Sequence, residues 1–210
     1  PTGPYKALHA INPTRIGFIA EHASLENNAC IDIGCGGGIL AEGMAQYGAQ
    51  MTAIDMDKAA LEVASLHASE SNHKIDYQHC TAEEIAAEKL AEFDVVTCLE
   101  MLEHVPDPFS VISACAELCK SGGSVFFSTL NRNPIAYLGA IVAAEYLLNL
   151  VPKGTHQYQR FIKPSELDAW ASKAGLTLKK LSGISYNPIN QSASLSPKPT
   201  VNYIVHYQKT

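Results

Sequence analysis

The sequence predicts an α/β fold in which helices cover a doubly wound, mostly parallel sheet of seven strands. Short runs rich in Val, Ile and Phe alternate with longer segments of helical period, which is typical of βαβ units. The chain has 210 residues, 47% of them hydrophobic and 17% charged, and this is enough for one well-buried core. We therefore expect residues 1–210 to form a single domain.

The first hundred residues show this alternation most regularly. Each return from a helical period to an apolar run is one step of a parallel crossover. The predicted elements are, in order, a helix at 11–22, a strand at 29–33, a helix at 39–47, a strand at 51–55, a helix at 57–71, a strand at 74–79, a short helix from 82, and a strand at 93–99.

Prolines and glycines divide the second half of the chain. Pro106 and Pro108 cannot continue a central strand, so they indicate a loop after strand four. The remaining predicted elements are a helix to residue 120, a strand at 124–129 after a glycine pair, a helical insertion at about 131–163, a helix from 164 to 175, and strands at 176–181 and 201–208 that pair as a hairpin.

Composition limits the compartment and the partners. No window of about 20 apolar residues could cross a membrane, and no secretory signal is recognisable, so a cytoplasmic location is expected. Residues 1–104 hold 5 Lys+Arg and 16 Asp+Glu, whereas residues 105–210 hold 10 and 5. This asymmetry can mark a surface that contacts anionic lipid or nucleic acid, although a solvated mixed surface is the commoner explanation. No basic, aromatic-interleaved stripe indicates nucleic acid.

A glycine-rich turn follows strand one and carries the first chemical signal. The pattern is Asp32-Ile33-Gly34-x-Gly36-x-Gly38, and glycine lets the backbone approach a ligand closely. A nicotinamide fingerprint would need a third glycine where Ile39 stands. The acid before the turn suits a ligand that has an ammonium group and no pyrophosphate, although Asp32 could instead cap the turn. The pattern resembles the first motif of the class I S-adenosylmethionine methyltransferases.

That resemblance implies further cofactor contacts. Asp55 ends strand two 21 residues after Gly34, where its carboxylate can accept both ribose hydroxyls. Asp57 is expected to be the N-cap of the next helix. The class places the other cofactor-binding residues at the ends of strands two, three and four; here these are Met56, Thr81, Ala82 and Leu99.

Longer strings extend the resemblance over nearly the whole chain. Together they are similar to the ubiquinone biosynthesis O-methyltransferases, the bacterial UbiG family. The strings are Leu8-His9-x-Ile11-Asn12-Pro13-x-Arg15, the segment Asp32 to Glu42, Glu100-Met101-Leu102-Glu103-His104-Val105-Pro106-Asp107-Pro108, Phe126 to Asn133, Val151 to His156, Phe161 to Pro164, and Tyr186-Asn187-Pro188.

The family resemblance implies two O-methylations in the ubiquinone pathway. One acts on 2-polyprenyl-6-hydroxyphenol and the other on 3-demethylubiquinol. The resemblance also implies that the protein associates with other enzymes of the quinone pathway. Arg15, Gly34, Asp55 and Leu99 match cofactor contacts of the family. A guanidinium suits the methionine carboxylate because it donates two parallel hydrogen bonds, whereas the alternative for Arg15 is a surface arginine.

Two chemistries could remove the phenol proton during methyl transfer. In the first, His104 is the general base and Glu103 orients its ring. In the second, Glu100, Glu103 and His104 hold a divalent metal (Mg, Mn or Zn) that lowers the phenol pKa. The family resemblance leaves both routes open. Eukaryotic relatives with this string are linked to a divalent metal, whereas many metal-free methyltransferases carry a histidine in this loop.

The insertion predicts a contact with the membrane surface. Residues 135–151 are apolar except for Glu145 and Asn149, and cationic Arg160 and Lys163 follow. The segment is too short to span a bilayer but suits an amphipathic helix at the interface, and the alternative is a helix buried at the sheet edge. We expect peripheral association with the inner face of the plasma membrane. The rival functions are another small-molecule phenol O-methyltransferase and a non-catalytic cofactor-binding module.

Overall fold

A single eight-stranded sheet organises the protein, with the strand order β3-β2-β1-β4-β5-β8-β6-β7. The structure is a computed structural model that describes residues 6–136, 158–187 and 190–210. The strands are β1 Ala29–Ile33, β2 Gln50–Asp55, β3 Ile75–His79, β4 Phe93–Leu99, β5 Cys119–Leu130, β6 Leu176–Asn187, β7 Ser192–Ser196 and β8 Asn202–Lys209.

Helices cover both faces of this sheet. They are α1 Lys6–His22, α2 Ile39–Gln46, α3 Lys58–Glu70, α4 Ala82–Glu88, α5 Pro108–Leu118, α6 Pro134–Ala136 and α7 Pro164–Lys173, with a 3-10 turn at Tyr158–Arg160. Asp57 accepts hydrogen bonds from the N–H groups of Ala59 and Ala60 at the start of α3, so its predicted role as an N-cap is confirmed.

The first five strands form the parallel core. β1 pairs with β2 and β4, β2 pairs with β3, and β4 pairs with β5, all in parallel. Successive residues of β1 face opposite sides, as the pleat requires: Ile31 and Ile33 join the cluster beneath α4, α5 and α7, whereas Cys30 joins the cluster beneath α1 and α2. The predicted α/β class and parallel core are confirmed.

The carboxy-terminal strands differ from the prediction of seven. β6 and β8 pair antiparallel as expected, but β6 continues to Asn187 and also pairs with β7, so the sheet has eight strands. The sequence Ser-Ala-Ser-Leu-Ser has little intrinsic strand preference. Pairing with β6 and contact with α1 hold this strand in place, where the Thr14 hydroxyl donates to the Ala193 carbonyl at 3.1 Å.

The described residues include no helix that is long and apolar enough to cross a membrane. Of the predicted insertion at 131–163, residues 137–157 lie outside the described residues, and so does most of the segment 135–151 on which the membrane prediction rests.

Candidate active site

The predicted site residues collect at the carboxyl edge of the parallel strands. This edge is where open α/β sheets bind ligands, because the crossover loops leave a crevice there. Gly34, Gly36 and Gly38 all have positive φ (74°, 51° and 78°), which only glycine adopts readily. A Cβ on Gly34 would lie 2.6 Å from Met101 Sδ, so the Met101 side chain would also have to move.

Asp55 holds the glycine turn from the neighbouring strand. Its Oδ2 accepts from the Gly36 N–H at 2.7 Å, and its Oδ1 accepts from the Asp57 N–H at 2.8 Å. Each carboxylate oxygen has a second lone pair, so the predicted contact with ribose hydroxyls is compatible with these bonds. The support that Asp55 gives to the turn was not predicted from the sequence.

Asp32 is a buried carboxyl group, only 3% exposed. Its Oδ1 accepts from the Thr97 hydroxyl at 2.8 Å, which joins it to β4 rather than to the turn. Burial raises the pKa of Asp32 to about 7 against the opposing effects of Thr97 and Arg15, and the Asp55 charge also raises it. A ligand ammonium beside Asp32 would favour its charged form.

The other predicted cofactor contacts lie at the ends of their strands as expected. Leu99 is nearly buried at the end of β4, and Met56 is 57% exposed beside Asp55. Thr81 caps α4, since its hydroxyl accepts from the Glu84 N–H while Glu84 accepts from the Thr81 N–H. The Ala82 side chain points into the core, so a contact with adenine there would have to use its backbone.

Glu100 connects three distant parts of the chain. Its Oε1 forms an ion pair with Arg15 Nη2 at 2.9 Å and accepts from Ser128 Oγ at 2.6 Å and Asn202 Nδ2 at 3.0 Å. Glu100 has φ = 56°, a conformation that costs a non-glycine residue about 1–3 kcal/mol. Arg15 is 6% exposed and is therefore not a surface arginine.

Glu103 and His104 are adjacent in sequence but lie in different environments. Glu103 is buried, and its Oε2 accepts from the Thr129 hydroxyl at 2.8 Å. Burial, followed by the Glu100 charge, raises the pKa of Glu103 to about 8. The His104 side chain is exposed, and its carbonyl accepts from Arg160 Nη1 at 3.3 Å.

The predicted metal ligands do not fit a metal ion in this arrangement. Within the described ranges, no three His, Cys, Asp or Glu side chains lie close enough together to hold one. Glu100 is engaged by Arg15, and Glu103 bonds to Thr129 in the core while His104 faces outward. We therefore derive no step through a metal.

Three polar strand residues that bond to Glu100 or Glu103 were missed in the sequence prediction: Ser128, Thr129 and Asn202. Ser128 and Thr129 end an apolar strand with two hydroxyls at the carboxyl edge, and this break in the apolar run was an available signal. Asn202 carried no such signal, because its approach to Glu100 depends on where β8 enters the sheet.

A groove of about 1180 Å³ lies at the opposite edge of the sheet. It is lined by the residues that begin β1, β2, β3 and β4, and it contains none of the predicted site residues. Volume alone therefore does not locate the chemistry in this protein.

Comparison with known proteins defines the class. Residues 11–181 match the family model described as a methyltransferase domain. The crystal structure of magnesium protoporphyrin IX methyltransferase from Synechocystis with bound SAH aligns with a TM-score of 0.73 at 15% identity, covering 97% of this chain and 84% of that one. A SAM-dependent methyltransferase from Thermotoga maritima aligns with a TM-score of 0.72 at 15% identity, covering 98% and 92%. The chain is a methyltransferase with a Rossmann-like fold.

Closer relatives identify the family. The ubiquinone biosynthesis O-methyltransferase of Stutzerimonas stutzeri is 59% identical over 205 residues, which are 98% of this chain and 88% of that protein. That of Alkalilimnicola ehrlichii is 56% identical over 209 residues, or 99% and 85%. This chain belongs to the ubiquinone biosynthesis O-methyltransferase family and is an S-adenosylmethionine-dependent O-methyltransferase, as its sequence strings predicted.

Proposed function

We propose that this enzyme methylates a phenol oxygen of polyprenylated catechol and hydroquinone intermediates of ubiquinone biosynthesis. The two reactions are those on 2-polyprenyl-6-hydroxyphenol and on 3-demethylubiquinol. The observation that carries the proposal is the burial of an acid, Asp32, and a guanidinium, Arg15, at the same edge of the sheet. S-adenosylmethionine ends in an amino acid with an ammonium and a carboxylate, and these two side chains complement both groups.

The cofactor contacts follow from this pairing. Asp32 accepts from the ammonium, Arg15 donates to the carboxylate, and Asp55 accepts from the ribose hydroxyls. Gly34 and Gly36 let the backbone approach the cofactor, Leu99 packs beside it, and the backbone of Ala82 with Met56 and Thr81 borders the adenine. Support comes from the positive φ angles of the turn and from the exposure of Met56.

Methyl transfer is an in-line displacement at the sulfonium carbon. The phenol oxygen forms the new O–C bond as the C–S bond breaks, and S-adenosylhomocysteine leaves with the sulfur electron pair. His104 takes the phenol proton, since its ring is exposed in the loop that follows β4. Glu103 lies beneath this loop and positions it through Thr129.

The metal route is not part of this mechanism. A divalent ion would supply charge that lowers the phenol pKa. Glu100 would have to leave Arg15, and Glu103 would have to leave the core, before either carboxylate could bind that ion. Titration calorimetry with Mn²⁺ in the presence of a catechol, with Glu100→Gln as control, tests whether the loop rearranges in this way.

We also propose that the enzyme contacts anionic lipid peripherally on the inner face of the plasma membrane. The reason is that the long prenyl tail of its substrates stays in the bilayer. Exposed cationic side chains at Arg160 and Lys163 support it, since they lie at the end of the insertion. The enzyme should float with anionic liposomes, and the fraction that floats should fall when residues 135–151 are removed.

The central test is a methylation assay on a short-chain prenylated catechol. Product formation at a single hydroxyl supports the proposal. Turnover of simple phenols in preference to prenylated ones would favour another phenol O-methyltransferase. Cofactor binding without turnover of any catechol would favour a non-catalytic module.

A further inference from the structure

Asn202 lies at the carboxyl edge of the sheet although it belongs to an antiparallel strand. It begins β8, where it is paired with Leu130 at the end of β5 and with Ile184 of β6. This register brings its side chain to Glu100, the residue that directly follows β4. Asn202 is therefore beside the loop that contains Glu103 and His104.

The orientation of the Asn202 amide is determined by its partner. The Nδ2 atom donates to Glu100 Oε1 at 3.0 Å, and a carboxylate paired with Arg15 can only accept. The amide oxygen must then point the other way. This Oδ1 atom is buried, and no group in the described part of the chain hydrogen-bonds to it. Buried acceptors are seldom left without a donor, so the position calls for one.

A second buried atom without a partner in the described ranges belongs to Arg15, which contacts the same oxygen of Glu100. Arg15 Nε has no hydrogen-bond acceptor among the described residues, while Arg15 Nη2 lies 2.9 Å from Glu100 Oε1. The two atoms are complementary in kind, since Nε donates and Oδ1 accepts. Under the proposed function, the donor faces the cofactor carboxylate, which leaves the acceptor for a hydroxyl of the substrate.

We propose that Asn202 is a specificity-determining residue whose Oδ1 accepts a hydrogen bond from the hydroxyl adjacent to the oxygen that is methylated. This inference rests on the proposed function. Both proposed substrates carry such a neighbouring hydroxyl, so one contact serves both reactions. An analogue with hydrogen or methoxy at that position cannot donate, and it would leave Oδ1 buried without a partner.

The experiment compares two short-chain prenylated substrates, a catechol and its analogue in which the adjacent hydroxyl is replaced by hydrogen. The quantity measured is the ratio of their kcat/KM values in the wild-type enzyme and in Asn202→Leu, which has a similar volume and no polar atoms. The wild type should favour the catechol about 100-fold, and the variant should reduce this preference by about tenfold or more. A merely structural role would lower both kcat/KM values in proportion.

Two further variants serve as controls for this experiment. Asn133→Leu is the matched control, because both polar atoms of Asn133 are already bonded, Nδ2 to the Thr200 carbonyl and Oδ1 to the Ala136 N–H. It should leave the preference unchanged. Asn202→Ala removes the same acceptor without adding bulk and should reduce the preference in the same way, so the inference can be tested if the leucine variant does not fold.

The outcomes separate the two proposals. A wild-type enzyme that methylates neither compound contradicts the proposed function. A wild-type enzyme that favours the catechol, together with an Asn202→Leu variant that favours it equally, overturns only the role of Asn202.

Discussion

The two halves of the site are built in different ways. The cofactor half, which comprises the glycine turn and Asp55, is made of backbone in left-handed conformations, and its carboxylate is bonded to two N–H groups. The reaction half, which comprises Arg15, Glu100, Glu103 and Asn202 and under the proposed function also receives the cofactor carboxylate at Arg15, is made of side chains. It contains two buried polar atoms that have no partner among the described residues. The first half is therefore organised without a ligand, and under the proposed function the cofactor and the substrate complete the second half.

The largest expected effect is at Gly34, where the two halves touch. Gly34→Ala places a Cβ at positive φ and 2.6 Å from Sδ of Met101, the residue that follows Glu100, so S-adenosylhomocysteine should bind about 100-fold more weakly. Gly37→Ala is the matched control, since nothing lies within 4 Å of its added Cβ and its φ is not positive. Calorimetry measures the affinity of both variants for S-adenosylhomocysteine. An equal loss of affinity in the two variants would show that the turn is not preorganised.

The next effect is a pH dependence of cofactor binding that arises from Asp32. Without ligand the pKa of Asp32 is raised to about 7, mainly by burial. Under the proposed function the cofactor ammonium favours the charged carboxylate, so binding requires proton release below that pH. The dissociation constant should therefore rise by up to about tenfold for each pH unit below 7.

Asp32→Asn is the variant that sharpens this point. It should bind the cofactor more weakly at pH 8 and should show a flat profile between pH 5.5 and 7. A slope that persists in the variant would mean that another group titrates.

The smallest effect concerns stability and the buried Glu103. Because the folded-state pKa of Glu103 is raised to about 8, its protonated form contributes its full stability at pH below about 4.5. This contribution is lost as the pH rises to 8. Glu103→Gln should therefore raise the free energy of unfolding at pH 8, on the order of 2 kcal/mol, and should change it little at pH 5. Urea denaturation at the two pH values measures this difference, with exposed Glu117→Gln as a control that should show no gain.

The cofactor half could be predicted from the sequence because its signals are local. Asp32, the three glycines and Asp55 lie within 24 positions along the chain, and one βαβ unit places them together. The parallel strands were predicted for the same reason, since continuous apolar runs such as that of β4 mark buried strands.

The reaction half could not be predicted in the same way. The loop string Glu100 to His104 was recognised, but periodicity does not show that Glu103 turns inward while His104 is exposed. The Arg15–Glu100 pair spans 85 positions, and Asn202 lies 102 positions from Glu100. β7 was missed because pairing and packing, rather than the propensity of a serine-rich segment, stabilise it.

The convergence of Arg15, Ser128 and Asn202 on one oxygen of Glu100 has a consequence for biosynthesis. β8 enters the sheet between β5 and β6, both of which precede it in the chain. A nascent chain that emerges from the ribosome can therefore form the glycine turn well before the strand carrying Asn202 has been made. The three contacts to Glu100 can be complete only after residue 202 has been made, so the cluster around Glu100 is the last part of the site to assemble.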